Sequence, residues 1–345
     1  MSKQEPCVLI DEPMIAPQMA DRLRQYLQTA WRVVEAPPTL DDGAVPQAVD
    51  EAVAIVGHCV LAEALRRAQR LKLVHCTGAG IDGIAVQALP PGAVLCNVHE
   101  HEVPIAEYVM MGILMMACRV QEHAADFRRG RWTGSGRIYG AFHDELYGKT
   151  MGLIGFGRIG REVAQRARAF GMRVLALRRA ETADPLLDGC FTHDRLHAFL
   201  GSCDVVVLCC PLTNQTRGML GAPELAAMRP TAILVNPARA QIVDEQALFE
   251  ALRQRRIKGA VLDVWYQYPA AAHEAPAYGS RLPFHELDNV LPTPHLAAWT
   301  EPMFDRRMRF IAANLDRLAR GEPLVQVVAQ GPQPSDRSAG LKEMD

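Results

Sequence analysis

The chain has 345 residues, a net charge of −2, 22% charged and 49% hydrophobic residues. This is an ordinary globular balance, and the length suits two domains better than one. No run of like charge points to nucleic acid or a membrane surface. The longest apolar segment, Val109 to Cys118, is too short to cross a bilayer, and the N-terminus MSKQEPCVLIDEP lacks the design of a signal peptide. The nine cysteines show no zinc-ligand spacing, and several sit in apolar runs, as do Cys209 and Cys210. They read as buried, reduced thiols of a cytoplasmic protein.

Strand and helix patterns alternate from the start. Residues 6–10 open a strand with CVLI, and Met19, Leu23 and Leu27 share one face of a helix. Pro37, Pro38, Asp41, Asp42 and Gly43 mark a loop. Val53 to Val56 is a buried strand, Leu61 to Ala68 a helix and LKLVHC, 71–76, a third strand. Such alternation predicts a parallel sheet. The third strand ends in Thr77-Gly78-Ala79-Gly80, where open α/β sheets bind ligands. Backbone N–H groups of Ala79 and Gly80 there are placed to hold a carboxylate, and a plain turn is the alternative. Val94 to Asn97 is a further strand. His99 and His101 follow in a loop with no matched carboxylate cluster, so no metal is expected.

A long helix is predicted from Pro104 to about Arg129, with Ala106, Val109, Met110, Ile113, Leu114 and Ala117 on its apolar face. Met110, Met111, Met115 and Met116 exceed one buried stripe. They imply either a second apolar surface, as at a subunit interface, or burial on two sides within one subunit. Gly130 to Tyr147 reads as a connecting loop.

The stretch KTMGLIGFGRIGREVAQRARAFGMRVLALRR, Lys149 to Arg179, then places Gly155, Gly157 and Gly160 in G-x-G-x-x-G spacing between a strand and a helix. Gly155 permits the tight turn, Gly157 lets backbone N–H groups, with those of Arg158 and Ile159, reach a pyrophosphate, and Gly160 lets the helix pack on the strand. The positive end of that helix faces the phosphates. Downstream, strands are predicted at Asp204 to Cys210, Ala232 to Val235, Gly259 to Val264 and Val290 to Pro292. Helices are predicted at Asp194 to Leu200, Pro223 to Met228, Asp244 to Arg253 and Glu301 to Arg320. The polar tail reads as disordered.

With LVHCTGAGIDGI, PIAEYV, ELYGKTMGLIGFGRIG, CDVVVLCCPLTNQTRGML, MRPTAILVNPARAQIVDEQAL and TPHLAAWT in place, the chain resembles the D-isomer-specific 2-hydroxyacid dehydrogenases over about residues 50 to 325. The resemblance implies two α/β, Rossmann-like or flavodoxin-like domains. An NAD(P)-binding domain, 104–296, would be inserted into a substrate domain, 1–103 with 297–330, leaving 331–345 as the tail. The site would lie in the cleft between the two domains, and the protein would be a homodimer.

The resemblance also assigns roles. Arg239 would bind the substrate carboxylate and polarise the carbonyl with its planar fork. His295 would give a proton to the developing alkoxide. Where the family usually carries glutamate this chain has Tyr268. A tyrosine orients the imidazole but brings no charge, so His295 is expected to titrate nearer the ordinary histidine value, about 6.5. Glu274 or Glu286 in the following loop is an alternative source of charge. Asp263 resembles the residue that faces the nicotinamide amide, and Cys210, Pro211, Thr216, Pro237 and Ala238 border the cofactor. Arg178 and Arg179 stand where NAD enzymes place an acid, and guanidinium groups attract a 2′-phosphate, so NADP is favoured over NAD. The expected activity is hydride transfer between that cofactor and a small 2-keto or 2-hydroxy acid. Oxidation of phosphite and non-catalytic sensing of the dinucleotide are the alternatives.

Overall fold

The computed structural model describes residues 5–12, 15–36, 47–133, 142–269 and 278–332. The loop expected at 37–43, Glu274 and the tail from 333 lie outside them. The chain divides into two compact units, Met1–Glu100 with Thr300–Asp345, and His101–Trp299.

The first unit begins with β1 (Cys7–Ile10), α1 (Ala16–Tyr26), β2 (Arg32–Glu35), β3 (Ala52–Val56), α2 (Ala62–Arg67), β4 (Leu73–His75) and β5 (Val94–Cys96). The second carries α3 (Glu102–Cys118), α4 (Val120–Arg128), β6 (Thr150–Ile154), α5 (Arg158–Ala169), β7 (Arg173–Leu177), β8 (Gly189–Phe191), α6 (Leu196–Ser202) and β9 (Val205–Leu208). It continues through α7 (Ala222–Ala227), β10 (Ile233–Asn236), α8 (Glu245–Arg253), β11 (Gly259–Leu262) and β12 (Val290–Pro292). The chain then returns to the first unit as α9 (Glu301–Arg320) and β13 (Val327–Gln330).

Each unit is built on one sheet. The first has the order β13-β5-β4-β3-β1-β2, parallel except for β13 against β5. The second, β12-β11-β10-β9-β6-β7-β8, is parallel throughout. Fully buried runs such as VVVL in β9 and ILVN in β10 are what a sheet covered on both faces requires. Strands β2, β8 and β13 have no counterpart in the sequence reading. All three lie at sheet edges and are at best half-buried, so none carries a continuous apolar run.

The single helix expected from Pro104 to Arg129 is instead two, α3 and α4, bent by 59°. Arg119 between them is left-handed, with φ 52. The Ala117 carbonyl accepts the Asp144 N–H at 3.0 Å, a partner that competes with helix continuation. No single helix among the described residues is long and apolar enough to cross a membrane, although this bent pair would qualify by length and composition. Met110 is buried, Met111 exposed, and Met115 and Met116 pack against the core. A Cβ on Gly112 would lie 2.7 Å from Val261, so α3 rests almost directly on β11.

Candidate active site

In the second unit the strand order reverses between β6 and β9, the place where open α/β sheets bind ligands. Gly155 follows β6 with φ 92, and a Cβ there would lie 2.9 Å from the Cys209 carbonyl and the Cys210 nitrogen. Only glycine combines that φ with that approach. Gly157 precedes α5 with no side-chain cap, and a Cβ on it would meet nothing within 4 Å. The space beside Gly157 is open, and the first-turn N–H groups that follow it, with those of Arg158 and Ile159, stand at the positive end of a helix. A Cβ on Gly160 would sit 2.8 Å from the Gly155 carbonyl, which fixes helix against turn. These features fit a dinucleotide pyrophosphate.

Past β7 stand Arg178 and Arg179. The Arg178 guanidinium lies 5.6 Å from the Phe156 ring centre, and that of Arg161 lies 5.2 Å from it. The nearby acids are engaged. Asp184 pairs with Arg161, which holds its carboxyl below the usual range, and Glu181 lies 3.9 Å from Arg195. The loop after β9 is tied by Thr216, whose hydroxyl donates to the Pro211 carbonyl at 2.7 Å and accepts the Thr213 N–H at 2.8 Å. Burial pushes the Cys210 thiol up to about 11 and that of Cys209 higher, so both stay protonated and inert.

Arg239 follows β10 through Pro237 and Ala238. Buried Asn236 fixes this turn: its amide donates to the Arg239 carbonyl at 3.0 Å and its oxygen accepts the Ala238 N–H at 3.0 Å. His295 follows β12 with φ 58, an unusual conformation for a residue with a Cβ. The Tyr268 hydroxyl lies 3.0 Å from its Nδ1 and accepts the Trp265 N–H at 3.3 Å. Desolvation of its hydroxyl raises the Tyr268 phenol, while the Trp265 N–H and the Arg239 charge lower it. Arg239 follows β10, Tyr268 follows β11 and His295 follows β12, three neighbouring parallel strands of one sheet. Glu286 lies 3.9 Å from His285, and the neighbour of Nδ1 is Tyr268. The buried Asp263 carboxylate accepts the Thr293 hydroxyl at 2.6 Å and the N–H groups of Leu296 and Ala297 at 2.8 Å, so it holds the loop that presents His295.

In the first unit, the carbonyls of Gly78, Ala79 and Gly80 accept from Val98 N, Asn97 Nδ2 and Cys76 Sγ, which fixes the loop that carries the Ala79 and Gly80 amides. At the ends of β1 and β3, Glu12 is buried and accepts the His58 N–H at 2.7 Å, the Thr77 hydroxyl at 2.7 Å and His58 Nδ1 at 2.6 Å. This bond raises the His58 pKa. Asp11 is raised to about 6 by burial and by Glu12.

The family model for the D-isomer specific 2-hydroxyacid dehydrogenase, NAD binding domain, matches residues 110–297. The chain belongs to the D-isomer specific 2-hydroxyacid dehydrogenase family. A D-3-phosphoglycerate dehydrogenase of Methanocaldococcus jannaschii is 34% identical over 292 residues, 83% of this chain and 53% of that protein; the chain spans about half of that relative's length. A glyoxylate reductase of Thermococcus gammatolerans is 35% identical over 280 residues, 79% of this chain and 81% of the relative. A family member from Xanthobacter autotrophicus, solved with NADPH and MES, superposes with TM-score 0.76 at 27% identity, over 94% of this chain and 98% of that one. Membership makes the chain an NAD(P)-dependent 2-hydroxyacid dehydrogenase, acting on the CH–OH group.

Sequence reading missed Asn236, Thr293 and Tyr108, whose hydrogen bonds lie at the turns that carry Arg239 and His295, and, in the first unit, the Glu12–His58 pair. Two had a readable signal. Asn236 is a polar residue closing the apolar run ILVN, and Tyr108 interrupts the aliphatic face of α3 with a hydroxyl that needs a partner.

Proposed function

We propose that this dehydrogenase reduces a small 2-keto acid of glyoxylate or hydroxypyruvate size, with NADPH preferred over NADH. The observation that carries the reading is the grouping of Arg239, Tyr268 and His295 at strand ends of one sheet. Arg239 binds the substrate carboxylate with its planar fork and draws charge toward the C2 oxygen. His295 gives a proton to that oxygen as it becomes an alkoxide, and Tyr268 orients the imidazole from Nδ1. Gly155, Gly157 and the first turn of α5 would hold a nicotinamide dinucleotide, which would supply the hydride chemistry. Arg178 and Arg179, with the nearby acids already paired, favour a 2′-phosphate. The relatives named glyoxylate reductase support the substrate size, and the NADPH complex supports the cofactor.

The unit His101–Trp299 takes the nucleotide role in this reading. The exposed side chains of Val103, Met111 and Val120 are assigned to a homodimer interface, which sedimentation would detect. Steady-state turnover over a panel of 2-keto acids with both cofactors tests the reading. Tight dinucleotide binding with no turnover would replace it with a sensing role.

A further inference from the structure

Tyr108 lies on α3, far along the chain from His295, yet the two are joined by a chain of hydrogen bonds with a fixed direction. A carboxylate only accepts, so the Thr293 hydroxyl must donate to Asp263 Oδ1, at 2.6 Å. Its single hydrogen is then used. Tyr108 Oη, 2.6 Å from Thr293 Oγ1, must therefore be the donor of that bond. Burial pushes the Tyr108 phenol up to about 12, which keeps the proton on it.

Everything this chain anchors flanks His295. Asp263 receives the N–H groups of Leu296 and Ala297, the two residues after it. Before it, the Thr293 carbonyl accepts the Trp265 indole N–H at 2.8 Å and the Thr293 N–H donates to Leu262 at 2.9 Å. A left-handed backbone at a residue with a Cβ persists only when its surroundings over-determine it, and here both flanks are tied. The position of Tyr108 follows from the packing of α3. Gly112, one turn on and on the same face, admits the helix against Val261, which lowers the Tyr108 hydroxyl to Thr293.

We propose that Tyr108 and Thr293 are positioning residues for the reaction: their hydroxyls orient Asp263, and through it the backbone that aims His295 at the substrate. The proposal rests on the reading of His295 as the proton donor. Misplacement of a reacting group by about 1 Å costs about 10²-fold, so the effect belongs in kcat rather than in dinucleotide affinity.

The test compares wild type, Tyr108→Phe, Thr293→Val, Thr293→Ser and His295→Ala by steady-state kinetics, dinucleotide titration, thermal unfolding and ¹⁵N spectra of the imidazoles. We expect kcat to fall about threefold or more in Tyr108→Phe and about tenfold or more in Thr293→Val, with dinucleotide Kd within about twofold. Thr293→Ser keeps the hydroxyl and restores most of the rate. The His295 ring resonances, identified by their loss in His295→Ala, shift in Thr293→Val and stay in place in Thr293→Ser. Unchanged kcat and unchanged resonances in Tyr108→Phe and Thr293→Val, with His295→Ala inactive, would overturn this proposal alone. So would equal losses in Thr293→Ser and Thr293→Val. A His295→Ala protein as active as wild type would overturn the catalytic reading and this proposal together. A protein that turns over no 2-keto acid leaves the ring spectra to decide.

Discussion

The Tyr268 hydroxyl lies 3.0 Å from Nδ1 of His295, at the position where a carboxylate would stabilise an imidazolium. The hydroxyl also accepts the Trp265 N–H, so one lone pair and one hydrogen remain for the ring. It can donate to Nδ1 of the neutral imidazole or accept from Nδ1–H of the charged one. Burial raises the phenol, so it stays neutral through the working range and favours the imidazolium less than a carboxylate does. In the proposed mechanism, reduction uses the protonated ring. We therefore predict that kcat/KM for keto-acid reduction declines as pH rises past neutrality. Tyr268→Glu should carry that decline to higher pH by about one unit, and Tyr268→Phe should lower the rate about three- to tenfold, the worth of one neutral hydrogen bond. A pH profile of Tyr268→Glu that overlays wild type would remove the assignment.

Arg178 governs the cofactor prediction. Asp184 and Glu181 are occupied by Arg161 and Arg195, so little negative charge is left to repel a 2′-phosphate. Arg178→Ala should lower kcat/KM with NADPH about 10- to 100-fold, a loss of one to two charge-assisted contacts, and leave NADH nearly unchanged. Equal losses with both cofactors would show that the arginine serves the adenine or the fold instead.

Gly155 allows a sharper claim than its motif does. Its backbone has φ 92, and its missing Cβ would press on backbone atoms of the neighbouring strand end, 2.9 Å away. Backbone cannot rotate aside as a side chain can. Gly155→Ala should cost about 2 kcal/mol or more of stability and abolish measurable dinucleotide binding. Thermal unfolding and cofactor fluorescence would check both, and a variant that binds normally would contradict the packing argument.

The elements that were legible are those whose signal is local. Continuous apolar runs gave the buried strands, and the glycine spacing with its flanking strand and helix gave the nucleotide turn. The edge strands β2, β8 and β13 escaped because half-exposed strands carry no such run. The break at Arg119 escaped because its cause, the Asp144 amide on the Ala117 carbonyl, lies well along the chain. In the proposed site, Arg239 and His295 are assigned through a family resemblance. Their supports were not legible, since Asn236 and Asp263 look like ordinary strand-end polar residues until their hydrogen bonds are seen. Glu12 and His58 come together only because β1 and β3 are neighbours in the sheet.

His75 yields a prediction about stability alone. It lies wholly buried in β4, and its two ring nitrogens have fixed roles. The Cys76 carbonyl, 3.0 Å from Nδ1, can only accept, so Nδ1 carries the hydrogen. The Asn314 amide nitrogen, 3.1 Å from Nε2, donates, so Nε2 is bare. The same Asn314 amide also donates to the Val325 carbonyl and accepts the Val325 N–H, which ties α9 to the segment that leads into β13. A proton on Nε2 would set two donors against each other inside a dry core. Burial accordingly lowers the His75 pKa to about 4. The unfolded ring titrates near 6.5 and the folded one lower, so the native state binds fewer protons in between. Stability from this group is present above about 6.5 and is lost as pH falls toward 4, on the order of 3 kcal/mol in all. Chemical denaturation at pH 7 and at pH 4.5 should show the loss in wild type. His75→Gln should cost stability at pH 7 and narrow its deficit as pH falls, because glutamine has no proton to take up. A constant difference between the two proteins across that range would mean that His75 does not carry the acid sensitivity.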